Sequence, residues 1–223
     1  MTGEWKSIVR LDKNTHGRDF VCGDIHGCFD ELEFELRRIS FNKKIDRLFC
    51  VGDLIDRGPK SALAVTYMTC HWFFSVIGNH ETMFLMANLN LPEQKVCLEN
   101  HIMSGGRWAY KMALEDRKAL LYAIDKLPLI IQAGDAIIVH AALPPVESLE
   151  EIEKDPRLYM NTVLWFRGEY PPVVIPEISK IYVGHSIVKN PTQNGKYVNI
   201  DTGAFQKYQE RAGKLTVVEL GKV

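Results

Sequence analysis

Cysteine is sparse in this chain of 223 residues, and its spacing is uninformative for pairing. There are five (Cys22, Cys28, Cys50, Cys70 and Cys97), with no C-x-x-C among them, and Cys22 and Cys50 sit inside apolar runs. A disulfide framework or a zinc finger needs even sets at short spacing, so these read as reduced packing residues. An excess of charge of either sign is also missing. The 27 Lys and Arg stand against 28 Asp and Glu, a net charge of −1, which leaves no electrostatic footprint for nucleic acid or an anionic membrane. No apolar run approaches the roughly 20 residues of a membrane helix, and the opening MTGEWKSIVRLDKN has no signal-peptide core. The expectation is therefore a cytoplasmic protein with neither nucleic acid nor membrane as partner, its oligomeric state open. Any phosphate-binding role has to come from a local site.

No repeat or low-complexity tract divides the chain, and its length suits a single catalytic domain over 1–223. One small pattern recurs instead: an apolar run followed at once by a polar residue, as in DFVCGD (19–24), RLFCVGD (47–53), FFSVIGN (73–79), AIIVHA (136–141) and KIYVGH (180–185). With YVNIDTG (197–203) and LTVVEL (215–220) these predict about seven short strands. Asp30 is placed to cap a helix presenting Leu32, Leu36 and Ile39 on one face, and Pro59 to open a helix through Met68. Residues 81–127 read as mostly helical, interrupted at Leu91-Pro92 and Ser104-Gly105-Gly106, and 144–176 as a proline-rich excursion with one short helix. Strand and helix alternate, so the fold class is α/β. In open α/β sheets the functional crevice lies outside the carboxyl ends of the strands. That would bring Asp24, Asp53, Asn79, His140 and His185 to one edge.

Those residue types share a chemistry. Asp24 and His26, two apart in GDIHG, would point to the same side of an extended backbone and share a metal. Asp53, in GDLIDRG, has two oxygens with which to bridge a pair of cations; Asn79 in GNHE adds a neutral oxygen, and His140 and His185 add imidazoles. Two Asp, one Asn and three His suit a pair of divalent cations about 3.5–4 Å apart, with Mn²⁺, Fe or Zn²⁺ favoured by oxygen and nitrogen ligation without thiolate. A hydroxide between them could attack phosphorus in line. Arg57 and Arg167 present guanidinium forks for phosphate oxygens. His80, next to a ligand but with no metal requiring it, is free to act as general acid, with Asp56 to orient it. Glu81 either caps the following helix or supports the metal surroundings. His16, His71 and His101 receive no role, and Trp5, Trp72, Trp108 and Trp165 read as packing residues, Trp165 also as a brace for the Arg167 loop.

GDIHG, GDLIDRG and GNHE, in this order and followed by His140 and by Gly184-His185, resemble the phosphoprotein phosphatase family of serine/threonine phosphatases. SGGRW (104–108), LPLII (127–131), VLWFR (163–167) and IDTGA (200–204) are similar to its compact phage lambda and bacterial branch. The resemblance implies a calcineurin-like metallophosphoesterase fold, a β-sandwich flanked by helices with the metal site at the strand carboxyl ends. It implies two metals with Mn²⁺ commonly effective, and phosphorylated proteins as substrates. A dinucleoside polyphosphate hydrolase shares the motifs and is the alternative. A metallophosphodiesterase is a weaker one, because Ser186-Ile187 stands where such enzymes continue G-H-x-H.

Overall fold

The computed structural model describes residues 7–90 and 92–222, so Trp5 and Leu91 lie outside the described residues. Two sheets form the centre. The four-stranded sheet is built from β2 (Asp19–Cys22), β3 (Arg47–Cys50), β4 (Phe73–Ser75) and β10 (Val217–Glu219), in the order β10-β2-β3-β4. The six-stranded sheet comprises β1 (Ile8–Leu11), β5 (Ile130–Ala133), β6 (Ala136–Val139), β7 (Lys180–Val183), β8 (Thr192–Asn194) and β9 (Tyr197–Asn199), in the order β1-β5-β6-β7-β9-β8.

Side-chain alternation explains how the sheets stack. Val21, Phe49 and Val51 from one sheet share a cluster with Ile131, Ile138, Tyr182 and Val198 from the other, which is the interior of a β-sandwich. Residues of the opposite parity, such as Phe20, Cys22, Leu48, Ile137 and Ile181, join a larger cluster shared with the helices. Helix α1 (Phe29–Arg38) buries Phe29, Leu32 and Leu36 on one face, with Asp30 and Glu31 in its first turn and Arg37 and Arg38 in its last, as its dipole favours. The remaining helices are α2 (Ala64–Met68), α3 (Asn79–Asn88), α4 (Gln94–Met103), α5 (Leu114–Ile124), α6 (Leu149–Lys154) and α7 (Met160–Trp165). None is long and apolar enough to cross a membrane among the described residues.

Several expectations are corrected. Ten strands are present among the described residues, not about seven: β1, β5 and β8 are additional. Helix α1 begins at Phe29 with Cys28 at its cap, because both are anchored in the core, and Asp30 sits inside the first turn. Pro59 opens no helix, since the Lys60 N–H is committed to the Gly27 carbonyl at 3.0 Å; a 3-10 turn at Ser61–Leu63 precedes the short α2. The excursion at 144–176 contains two short helices, α6 and α7. The crevice is not the edge of one open sheet. β2, β3 and β4 run parallel and so do β6, β7 and β9, and the carboxyl ends of the two sets meet.

Candidate metal and catalytic centre

Asp24 follows β2 and Asp53 follows β3, while Asn79 opens α3 just beyond β4; His140 follows β6 and His185 follows β7. All five are buried, as are His26, Asp56 and His80. The strand exits turn sharply. Positive φ occurs at seven non-glycine residues among those described, and five of them are His26, Asp53, Asp56, Arg57 and His185. Such conformations cost of order 1–3 kcal/mol each, and their concentration here marks a site that the surrounding fold over-determines. His26, with φ of 44°, corrects the expectation of an extended Asp24-x-His26 segment. The two residues instead enter separate groups, His26 with Asp53 and His80, and Asp24 with Asp53 and His140.

Asp53 belongs to both groups. Its Oδ2 is 3.4 Å from His26 Nε2 and its Oδ1 is 3.6 Å from His140 Nε2. Oδ1 also accepts the backbone N–H of His80 at 3.0 Å. A Cβ on residue 78 would stand 2.2 Å from that oxygen, so glycine is what lets α3 start against the carboxylate.

Backbone carbonyls fix the tautomers of two imidazoles. His26 Nδ1 lies 2.8 Å from the Ile55 carbonyl and His140 Nδ1 2.8 Å from the Val51 carbonyl. A carbonyl can only accept, so both Nδ1 atoms carry the proton and both Nε2 atoms offer a lone pair. His140 Nε2 then faces Asn79 Oδ1, another acceptor, at 2.8 Å. His185 Nδ1 donates to the same Asn79 oxygen at 3.0 Å, leaving His185 Nε2 buried without a hydrogen-bond partner. Burial pushes His26 and His185 down to about 3 and lowers His140 as well, keeping all three neutral, the form a metal ligand needs.

Negative charge is in surplus. Burial and the carboxylates of Asp201 and Asp53 raise Asp24 well above its ordinary value, and burial raises Asp201 to about 6. Acceptors aimed at acceptors, an orphaned imidazole nitrogen and crowded buried carboxylates are all relieved by divalent cations, so the residues present fit that group.

The remaining site residues surround this core. His80 Nδ1 lies 2.7 Å from Asp56 Oδ2. Arg57 donates from Nη1 to His26 Nε2 at 2.8 Å, and its guanidinium lies 4.6 Å over the Phe205 ring. Arg167 is exposed just beyond α7, with its charge acting on His140, His185 and Asp201. The Trp165 and His185 rings meet nearly at right angles, with centroids 6.3 Å apart.

Four residues had roles the sequence left unassigned or open. Glu81, fully buried at the third position of α3, accepts from the backbone N–H groups of Asp53, Leu54, Ile55 and Gly78 at 2.8 to 3.1 Å. It therefore does both things considered for it, fixing the helix start and the Asp53 loop. His101 and Trp108, read as roleless and as packing, both reach Asp56. Asp201, buried beyond β9, has the same apolar-run-then-polar signature as the other exits and could have been found by it. His16 and His71 are exposed and remain outside the site.

The comparisons with known proteins agree with this geometry. The chain is 33% identical over 210 residues to serine/threonine-protein phosphatase 2 of Escherichia coli, covering 87% of this chain and 91% of that one. It is 31% identical over 133 residues to the symmetrical bis(5'-nucleosyl)-tetraphosphatase of Vibrio parahaemolyticus, covering 59% of this chain and 47% of that one. A solved structure described as a candidate diadenosine tetraphosphatase superposes with a TM-score of 0.64 at 21% identity over 97% of this chain and 95% of that one, a likeness of fold. The family model for calcineurin-like phosphoesterases matches residues 20–186, from β2 through His185. With the fold, the buried carboxylate and imidazole cluster and this match in agreement, the chain belongs to the calcineurin-like phosphoesterases, hydrolases of phosphate esters that work with divalent metal ions.

Proposed function

We propose that the chain, as one catalytic domain, is a cytoplasmic serine/threonine protein phosphatase that hydrolyses phosphomonoesters on phosphorylated proteins. The observation that carries the hydrolytic reading is Asp53, whose two oxygens face different histidines. Asp53 would stand between two divalent cations, with Asp24, His26, Asn79, His140 and His185 completing their ligand sets. Mn²⁺ is the preferred pair, with Fe or Zn²⁺ as alternatives. When bound, such cations acidify a water nucleophile and neutralise charge on the phosphoryl oxygens.

The chain's own residues supply the rest. Arg57 and Arg167 bind and orient the phosphoryl oxygens. His80 protonates the departing serine or threonine oxygen from Nε2, because its Nδ1 proton is engaged by Asp56 at 2.7 Å. The Asp56 carboxylate selects that tautomer and holds the ring in place.

Protein substrates are favoured by the end-to-end likeness to the bacterial phosphatase, 91% of which is covered, against 47% of the tetraphosphatase. The tetraphosphatase relative itself, with the fold neighbour, supports the second reading, a dinucleoside polyphosphate hydrolase. Turnover of phosphoserine peptide, phosphotyrosine peptide and diadenosine tetraphosphate after chelation and Mn²⁺ addition separates them. Phosphoserine peptide is expected to give the largest kcat/KM; a dominant dinucleotide rate would overturn the first reading in favour of the second. Replacing His80 with Asn tests the acid. It should slow phosphoserine peptide hydrolysis about 10²–10⁴-fold while sparing nitrophenyl phosphate, whose leaving group needs no proton.

A further inference from the structure

The Asp56 carboxylate has more donors than His80 alone provides. Its Oδ2 takes His80 Nδ1 at 2.7 Å, and its Oδ1 accepts Trp108 Nε1–H at 2.8 Å. His101 Nε2 lies nearly midway, 3.0 Å from Oδ2 and 3.2 Å from Oδ1. Since a carboxylate only accepts, His101 Nε2 carries the proton, and its Nδ1 receives the Tyr110 hydroxyl at 2.8 Å. A directed chain thus runs from Tyr110 through His101 to Asp56.

The backbone is shaped to admit this ring. A Cβ on residue 106 would stand 2.2 Å from His101 Nε2 and 2.3 and 2.4 Å from two ring carbons, so glycine is required beside the imidazole. His101 is itself fully buried and engaged at both nitrogens. A histidine that merely filled the core would need neither arrangement.

We propose that His101 is a positioning residue for His80. By bridging both Asp56 oxygens it fixes the torsion of the carboxylate, an otherwise broad sp³–sp² rotation, and so fixes the plane against which the His80 ring is aimed. The inference rests on the reading of His80 as proton donor.

Two measurements test it, each with His80→Asn alongside. The first is the ratio of phosphoserine peptide to nitrophenyl phosphate turnover in Mn²⁺-loaded protein. His101→Leu should lower that ratio about 10–100-fold, the usual range for an outer partner of a reactive group, and His101→Gln, which keeps an N–H near the same place, should restore most of it. Tyr110→Phe, which removes only the far bond, should lower it a few-fold and serves where His101→Leu fails to fold. The second is the downfield proton resonance of His80 Nδ1–H in Zn²⁺-loaded protein, which should move in His101→Leu and in Tyr110→Phe. A ratio unchanged in His101→Leu, or in Tyr110→Phe where the former does not fold, overturns the proposal while His80→Asn still shows its asymmetry. If His80→Asn instead slows both substrates equally, the donor role of His80 falls, and the resonance alone decides: moved, His101 positions the ring; unmoved, it does not.

Discussion

The backbone N–H of Asp53 donates to the Glu81 carboxylate at 2.8 Å, so the residue common to both groups of candidate ligands is pinned by a side chain from the helix that carries Asn79 and His80. Two oxygens of one buried carboxylate thereby gather four backbone donors from two segments.

Glu81→Gln should therefore be costly despite its similar shape. The amide keeps one acceptor and turns an N–H₂ toward backbone N–H groups, leaving donors unpaired in the interior. A loss of about 2–3 kcal/mol is expected by denaturant titration. Metal affinity should fall about 10–100-fold by calorimetry as the Asp53 loop loosens.

Asp53 and Asp24 should differ in metal content. Asp53→Asn is expected to hold little metal at either position and Asp24→Asn to retain about half of the wild-type content, measured by elemental analysis after dialysis. Equal retention in both variants would remove Asp53 from the shared position.

Arg57→Ala should keep its metals and weaken competitive inhibition by inorganic phosphate about tenfold or more, since a guanidinium bound to phosphate forms charge-assisted bonds. Arg167→Ala should show a smaller loss, most visible at low ionic strength, because Arg167 is exposed and its field is screened. Unchanged phosphate inhibition in Arg167→Ala would mean that the segment after α7 does not reach substrate.

Acid stability should report on Asp46, away from the centre. Burial opposes its ionisation, but Arg18 Nη2 at 2.7 Å and the N–H groups of Arg18 and Asn42 more than offset this, holding its pKa below the ordinary 3.8. A folded pKa below the unfolded one gives stability that is present above the unfolded value and lost as pH falls through the folded value. Asp46→Asn should therefore lower Tm at neutral pH and flatten the decline of Tm below about pH 4, read by calorimetric scans.

The sequence made the strand exits legible because each joins a short apolar run to a polar residue, and that signature carries Asp24, Asp53, His140 and His185 directly. Asp201 carries it too, in YVNIDTG. The roles of His101 and Trp108 were not legible, since their partner Asp56 lies 45 and 52 residues away and the meeting depends on how α3 and α4 pack. Strand β8 offers only Thr-Gln-Asn, fully exposed, with no apolar period to detect. The division into two sheets was equally invisible to local pattern, because inward and outward faces of both sheets are apolar and alternation is lost.

The two sheets contribute unequally in time. Asp24, Asp53 and Asn79 come from the early part of the chain and His140 and His185 from the late part; the His185 N–H that meets Asp24 lies 161 residues downstream. At about 5–20 residues per second, a nascent chain would carry its early carboxylates for roughly 8–30 s before the last imidazole is made. Until then only a partial set of the proposed ligands exists, so capture of a cation pair by all six would have to follow synthesis of β7. A chain halted before residue 185 would complete neither sheet and would lack the last of the proposed ligands, whereas one halted just after it would hold all six before β8, β9 and β10 are made.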